Sequence, residues 1–178
     1  MADRARATRL IAEAVPALFS AGLMPSSYPL LGLMRLRHSI LISSLAENVT
    51  QKLLDEAIQA LTMSLAGLSE VLCCGHPVRG VALAELGKLL AVDEPSPVIG
   101  PQIGPVPSGP SRLKMGYETL LKARKELLIG FGVANEGGQV GWEVREMLAS
   151  LEKELGVWNQ GTRNVLEDQQ NIRAKRGT

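Results

Sequence analysis

The amino-acid sequence predicts an all-α fold, and three observations support this prediction. The chain has 178 residues and is 46% hydrophobic, yet it contains only two residues each of Phe, Trp and Tyr. Because strands favour β-branched and aromatic side chains, a Leu- and Ala-rich composition favours helices. Apolar residues recur at steps of three and four, and glycine and proline recur between the apolar segments. The sequence therefore predicts an α-solenoid of about three antiparallel helix pairs, followed by a C-terminal capping helix.

The individual helices are predicted from apolar positions that fall on one helical face. Pro16 lies within the first of these segments and predicts a kink there. The apolar positions are Leu10, Ile11, Ala14 and Leu18 in the first segment; Leu54, Ala57, Ile58, Leu61, Leu65, Leu68 and Leu72 in another; Leu113, Tyr117, Leu120, Leu121, Leu127, Leu128 and Phe131 in a later one; and Val140, Val144, Met147, Leu148, Leu151 and Leu155 in the last.

Glycine and proline mark the point in each predicted pair where one helix ends and its partner begins. Gly22 follows the first helix and Pro29 opens the next, and Gly75 and Pro77 stand in the same relation in the second pair. The third pair turns within the glycine-rich segment 130–138. Glycine adopts the left-handed conformation beyond a helix end without steric cost, and proline fits the first turn of a helix. These positions therefore predict the three turns.

The predicted organisation is one helical-repeat domain that contains a single long loop. Residues 1–91 hold the first two pairs, 92–111 form a Pro/Gly-rich loop, and 112–174 hold the third pair and the capping helix. Six prolines and three glycines between Pro95 and Pro110 prevent a helix or a strand from persisting in the loop. The apolar residues that predict the capping helix are Trp158, Val165, Leu166 and Ile172.

One helix of the second pair has a stripe of small residues beside a stripe of leucines. Glycine inside a helix costs about 1 kcal/mol relative to alanine, so its presence needs a reason. A stripe without side chains lets another helix approach closely, and this is the packing that we predict here. The small residues are Gly80, Ala84, Gly87 and Ala91, and the leucines are Leu83, Leu86 and Leu90.

Charge and cysteine content argue against several classes of function. With 19 basic and 18 acidic residues, the net charge of +1 argues against a broad surface for nucleic acid or a membrane. Arg35, Arg37 and His38 interrupt the longest apolar segment, which is then too short to span a bilayer. The two cysteines are adjacent, which excludes a spaced disulfide framework and predicts an intracellular protein, cytoplasmic or nuclear. Asp3 and Glu13 argue against mitochondrial targeting by the Arg-rich N-terminus.

The segment Cys73-Cys74-Gly75-His76 is the place where metal-binding or nucleophilic side chains cluster. Neighbouring residues on a helix point about 100° apart, and a structural zinc site needs four ligands. The only other histidine is His38. We therefore interpret the two cysteines as small fillers in the last turn of a helix, and His76 as the start of the next helix. Because motifs for nucleotides, catalytic metals and serine nucleophiles are also absent from the sequence, we predict no catalytic, cofactor-binding or metal-binding residue.

A basic stripe is the candidate binding surface. Lys114, Lys122 and Lys125, together with Glu118, lie close together on the polar side of the first helix of the third pair. In arrays of helix pairs the first helices often line the concave surface, where lysines can bind the carboxylates of a partner. We predict that these three lysines bind a peptide, and the alternative is an ordinary solvated helix face.

Residues 50–156 resemble a known family. The segments HPVRGVALAELGKLL, at 76–90, and RLKMGYETLLKARKELLIGFGVANEGGQVGWEVREMLASLEKEL, at 112–155, are similar to the C-terminal helical domain of the SET and MYND domain-containing lysine methyltransferases. Phe131 departs from the family, which often has His or Tyr before the glycine, and so does the Pro-rich insertion. The residues that match are His76, Pro77, Gly80, Leu86, Gly87, Lys88, Leu89, Leu120, Ala123 and Gly132.

The resemblance implies a tetratricopeptide-like domain that packs against catalytic lobes and contacts partner proteins. The MYND pattern of repeated Cys-x-x-Cys and the SET cofactor loop do not occur in this sequence, so no catalytic or cofactor-binding residue carries over. We predict a non-catalytic protein–protein interaction or regulatory module whose partner is a protein or peptide segment, with a SET-domain lobe as one candidate. The alternatives are a free-standing tetratricopeptide-type adaptor for acidic peptide tails, and a fragment or subunit of an active protein-lysine methyltransferase.

Overall fold

The computed structural model describes residues 2–95 and 106–156, and all regular secondary structure within these ranges is helical. Consecutive helices from α1 to α5 pack against each other, which confirms the predicted all-α, solenoid-like fold. The elements are α1 (Ala2–Ser20), α2 (Leu30–Glu47), α3 (Gln51–Val71), α4 (Pro77–Ala91), α5 (Pro110–Phe131), a 3₁₀ turn (Val133–Asn135) and α6 (138–156). The predicted capping helix and the middle of the Pro/Gly-rich loop lie outside the described residues.

Side chains cap the starts of two helices, α3 and α4. The Thr50 hydroxyl accepts a hydrogen bond from the Leu53 N–H at 3.3 Å and caps α3. His76 caps α4, because its Nδ1 accepts a hydrogen bond from the Val78 N–H at 3.2 Å. The φ angle of Gly75 is +82°, which a residue with a side chain adopts only under strain. The turn predicted at this point is therefore confirmed.

The small stripe of α4 is the surface on which α5 packs. A Cβ atom added at Gly87 would lie 2.5 Å from Leu120 Cγ, and one added at Gly80 would lie 2.9 Å from Leu127 Cδ2. Ala84, between these glycines, is completely buried. The prediction that another helix approaches this stripe closely is confirmed, and the approaching helix comes from the far side of the Pro/Gly-rich loop.

The leucine stripe of α4, beside the small stripe, packs onto a different helix, α3. Leu86 and Leu90 belong to the same buried cluster as the apolar face of α3, so α4 is held between α3 and α5. The predicted face of α3 is confirmed as core, and its buried members are Leu54, Ala57, Ile58, Leu61, Leu65 and Leu68.

The second core lies between α5 and α6, and it corrects part of the predicted face of α5. Leu120 and Leu127 are completely buried, but Leu121 is 43% exposed and Phe131 is 42% exposed. Adjacent residues on a helix point about 100° apart, so Leu120 and Leu121 cannot both face the same neighbour. The residues of α6 in this core are Val144, Leu148 and Leu151.

An ion pair holds the two ends of the Pro/Gly-rich loop together. The Arg112 guanidinium is 1% exposed, donates a hydrogen bond to the Leu89 carbonyl at 2.8 Å and lies 3.4 Å from the Glu94 carboxylate. Glu94 also accepts hydrogen bonds from the Gly109 N–H, at 2.7 Å, and from the Ser108 hydroxyl. Burial raises the pKa of Glu94, but these hydrogen bonds and the charge of Arg112 outweigh it and hold the pKa below its ordinary value of 4.5.

Candidate functional site

A cavity of about 300 Å³ opens where α2 meets α3 and α4. Because α2 belongs to the first predicted pair and α3 and α4 form the second, the cavity lies between consecutive pairs. Its volume is at the lower end of the range for ligand sites in proteins. The lining residues are Arg35, His38, Ser39, Ile42 and Ser43 from α2, Leu61, Ser64 and Leu68 from α3, and Ala82 and Glu85 from α4.

The spacing of these residues explains why one cavity collects them. On α3 the lining positions 61, 64 and 68 follow each other at steps of three and four, and so do 35, 38 and 42 on α2. Such steps place side chains above one another on one helical face. One face of α2, one of α3 and one of α4 therefore meet around the cavity.

The lining residues divide by exposure into a floor and a rim. The floor consists of the buried residues His38, Leu61, Ser64, Leu68 and Ala82. The rim consists of the exposed residues Arg35, Ser39, Ile42, Ser43 and Glu85. The site therefore has a mainly apolar floor that contains one imidazole and one hydroxyl, below a rim that carries two charged groups.

His38 is the chemically distinctive residue of the floor. Its side chain is 9% exposed, and its Nε2 atom is buried without a hydrogen-bond partner among residues 2–95 and 106–156. Burial and the nearby positive charge of Arg35 both lower the pKa of His38 from its ordinary value of 6.5. The imidazole is therefore neutral at neutral pH, and its Nε2 atom is an unpaired polar atom that solvent does not reach.

The two charged groups of the rim, Arg35 on α2 and Glu85 on α4, are not paired with each other. Neither forms a salt bridge within the part of the chain that the structure describes. Burial raises the pKa of Glu85, and the charges of Lys88 and Arg35 reduce this effect without cancelling it. Lys88 itself is bonded to the Glu143 carboxylate on α6. The rim therefore carries one basic and one acidic residue, and neither has a salt-bridge partner among the described residues.

The predicted lysine stripe lies elsewhere on the molecule. Lys114, Lys122 and Lys125 are exposed on α5, as is Glu118, and α5 contributes no residue to the cavity. The three lysines form no salt bridge with any of the described residues. The structure therefore gives two separate candidate surfaces, the cavity and the lysine stripe.

The corner at 73–76 differs from the prediction in one respect. α3 ends at Val71, and the φ and ψ angles of Leu72 are −115° and 136°, which is extended backbone. Cys73 and Cys74 therefore lie in the turn after the helix, where both are exposed, and the prediction that they fill its last turn is wrong. The assignment of His76 to the start of the next helix is confirmed by its capping hydrogen bond. Within the described ranges, no three His, Cys, Asp or Glu residues are grouped closely enough to hold a metal ion.

A charged network that the sequence analysis did not identify joins this corner to α5. The Glu126 carboxylate accepts a hydrogen bond from the Gly75 N–H and pairs with the Arg79 guanidinium at 2.6 Å. Arg79 also donates to the Leu72 carbonyl at 3.2 Å. Both charged side chains are mostly buried and satisfy backbone groups that the turn leaves unpaired. The signal that could have indicated this role is the position of Glu126, directly before Leu127 and three residues after Ala123, which places a carboxylate on the buried face of α5.

The cavity was also missed, although its signal was present in the sequence. In the sequence, Arg35 and His38 interrupt an apolar segment. Their spacing of three residues places them on one helical face, which is a reason to expect a polar site there. Glu85 gave no such signal, because only the packing of α4 brings it near α2.

A scan against protein-family models finds no matching family, and no curated protein matches the sequence. The resemblance to the SET and MYND methyltransferases therefore stays a prediction. Among the helices of residues 2–95 and 106–156, none has the combination of length and apolar character that crossing a membrane requires.

Proposed function

We propose that this chain is a non-catalytic helical-repeat module that binds a segment of another protein in the cavity between α2, α3 and α4. The observation that carries the proposal is the composition of the cavity, whose floor combines buried apolar residues with an imidazole and a hydroxyl and whose rim carries two charged residues without salt bridges to the described residues. Protein interfaces concentrate their binding energy where an anchoring side chain enters such a pocket.

The geometry of the polar residues favours binding over catalysis. A nucleophile and its general base stand within hydrogen-bond reach of each other. His38 is the natural base in this cavity and Ser64 the buried hydroxyl, yet His38 Nε2 accepts no hydrogen bond from Ser64 or from another described residue. The residues therefore resemble separate contacts for a ligand more than an assembled catalytic group.

The test is to obstruct the cavity without disturbing the core. Ser39 is exposed at the rim, so the variant Ser39→Trp places a large ring over the mouth of the cavity without overpacking. Gln59, exposed on α3 and outside the lining, provides the matched control Gln59→Trp. We expect Ser39→Trp to lose the partners that the wild-type chain captures, and Gln59→Trp to retain them. The binding of each partner is then measured again with the purified protein, and the same difference between the two variants is expected. Equal retention by both variants would contradict the proposal.

A second candidate function is a free-standing tetratricopeptide-type adaptor that uses the lysine stripe. The exposure of Lys114, Lys122 and Lys125, and the absence of salt bridges to them within the described residues, favour this alternative. Its test is a titration with acidic C-terminal peptides of the wild-type chain and of the double variant Lys122→Ala, Lys125→Ala. Unchanged affinity in the double variant would exclude the stripe as the binding surface.

The remaining alternative, a fragment or subunit of a lysine methyltransferase, is based on the resemblance alone. Incubation of the purified chain with S-adenosylmethionine and histone or peptide substrates tests it directly. We expect neither cofactor binding nor methyl transfer, and measurable turnover would contradict the non-catalytic proposal.

A further inference from the structure

We propose that the outer face of the last helix pair, α5 and α6, is a docking site for residues 157–178 of the same chain. These residues follow α6 directly and lie outside the described residues. The inference goes beyond the proposed function, because α5 and α6 contribute no residue to the cavity. It follows from three observations: an apolar stripe that the described helices leave partly exposed, the point at which the chain leaves α6, and the pattern of residues 157–178.

The first observation is the apolar stripe on α5. Leu121 and Leu128 directly follow the buried core residues Leu120 and Leu127, so they point about 100° away from the face that packs on α4 and α6. Leu121 is exposed and Leu128 is half-buried. Two more residues lie on the same side of α5, and we call the four together the outer stripe: Tyr117, Leu121, Leu128 and Phe131.

The second observation is that the chain leaves α6 beside one end of the outer stripe. The Tyr117 hydroxyl donates a hydrogen bond to the Glu152 carboxylate at 2.7 Å, so the end of α6 lies next to the start of the stripe. A Cβ atom added at Gly137 would lie 3.0 Å from Leu127 Cβ, which places the start of α6 beside the second half of α5. α5 and α6 are therefore antiparallel, and a helix that follows α6 after a turn runs back along the outer stripe.

The third observation is that the apolar residues of 157–178 fit the outer stripe. Trp158, Val165 and Ile172 are spaced by seven residues, which places them on one face of a helix. The spacing from Trp158 to Ile172 equals that from Tyr117 to Phe131, and at 1.5 Å per residue each helical span is about 21 Å long. The segment therefore has the length and the apolar spacing to cover the stripe, and burial of the two apolar faces favours the contact.

Charge complementarity supports the same arrangement. Arg124 lies between Leu121 and Leu128 on α5, is exposed and forms no salt bridge with any described residue. With the segment parallel to α5 and Val165 level with Leu121, Asp168 comes level with Arg124, because each follows by three residues. The attachment of the segment to α6 also raises its effective concentration at the stripe, which favours it over a separate partner.

Trp158 provides the readout. The chain has two tryptophans, so the variant Trp142→Phe, which changes an exposed residue of α6, leaves Trp158 as the one that emits. In the whole chain with this change, we expect a blue-shifted emission that acrylamide quenches weakly, because the indole ring is buried against apolar side chains. In the same background, Leu121→Glu places a charge in the outer stripe at a position that is already partly exposed. We expect this variant to shift the emission to longer wavelength and to lose the protection from acrylamide.

A second variant and two controls separate docking from a general loss of structure. Val165→Glu changes the segment instead of α5, and we expect it to expose Trp158 as Leu121→Glu does. The control Gln170→Glu, on the opposite side of the proposed helix from Ile172, should leave the emission unchanged. The control Leu10→Glu introduces the same charge at an exposed leucine of α1 and should also have no effect. Circular dichroism checks that each variant is folded.

Four outcomes overturn the inference. They are an emission typical of an exposed ring in the Trp142→Phe chain, no change in Leu121→Glu or Val165→Glu, an equal change in Leu10→Glu, and protection that disappears on dilution. The first outcome would leave the outer stripe to a separate partner, and the last would mean that the segment docks on a second copy of the chain. The Ser39→Trp test concerns the cavity alone, so the proposed function and this inference fail separately.

Discussion

The substitution Gly87→Ala tests the close packing of α4 on α5 quantitatively. The added Cβ would lie 2.5 Å from Leu120 Cγ and 3.3 Å from the Leu120 backbone nitrogen, and Leu120 is completely buried, so it has no solvent into which to move. Overpacking of a core in this way costs about 1–3 kcal/mol. Alanine offsets up to about 1 kcal/mol of this through its better helix propensity. We therefore expect the free energy of unfolding to fall by about 1 kcal/mol.

The chain provides a control in Gly32, which is helical and exposed on α2. A Cβ added there meets no atom within 4 Å, so Gly32→Ala changes the helix propensity without a clash. We expect this variant to stabilise the fold by up to about 1 kcal/mol, and by less if the position in the first turn reduces the gain. The difference between the two variants then isolates the packing cost, which we expect to be about 1–3 kcal/mol.

The assay is equilibrium unfolding in urea, followed by far-ultraviolet circular dichroism. A further check is the background Leu120→Ala, in which the space around residue 87 is enlarged and the cost of Gly87→Ala should disappear. If Gly87→Ala is as stabilising as Gly32→Ala in the wild-type background, the close approach of α4 and α5 at this position is refuted.

Three further perturbations test the charged groups. Glu126→Gln leaves the mostly buried Arg79 without its counter-charge and should lower the free energy of unfolding by about 3 kcal/mol. The control Glu118→Gln, on the exposed face of the same helix, should change the free energy of unfolding by less than about 0.5 kcal/mol. The pKa of Glu94 is lowered on folding, so ionised Glu94 stabilises the fold fully above its unfolded pKa of about 4.5, and this stabilisation is lost as pH falls through the folded pKa. Urea unfolding below about pH 4.5 should therefore show a weaker dependence on pH in Glu94→Gln than in the wild-type chain. The pKa of His38 is also lowered on folding, so the unfolded chain takes up the proton first and the free energy of unfolding should decline as pH falls below 6.5 towards the folded pKa. His38→Gln should flatten this decline, and an identical decline in the variant would contradict the prediction.

The helices and their buried faces could be predicted because they depend on local sequence periodicity. The face from Leu54 to Leu68 follows from steps of three and four, and the turn at Gly75 follows from the conformation that glycine alone adopts easily. The close helix contact at Gly80 and Gly87 was also predictable, since glycine inside a helix is unfavourable unless something approaches it.

What the sequence left open is which helix approaches which. α5 packs on the small stripe from beyond the Pro/Gly-rich loop, and no local pattern specifies that neighbour. The cavity depends on the same information, because Arg35 and Glu85 lie on different helices and are brought to one rim only by the packing of α2, α3 and α4. The error at Cys73 has a smaller cause, since the helix ends earlier than its glycine signal indicates.

α4 makes three different contacts on three different sides, and this separates the stability of the fold from the chemistry of the cavity. The side with Gly87 packs on α5, the side with Leu86 packs on α3, and Glu85 faces the cavity. At 3.6 residues per turn, Glu85 points about 160° away from Gly87 around the helix axis. A clash at Gly87 therefore acts on the α5 contact, on the far side of α4 from the rim, whereas Ser39→Trp acts on the rim and not on either core. Because interiors are closely packed and transmit strain, the separation holds only as far as α4 keeps its position between its neighbours. A Gly87→Ala variant that loses stability but retains the partner binding that Ser39→Trp abolishes would mean that α4 keeps that position and supports the cavity as a rigid wall.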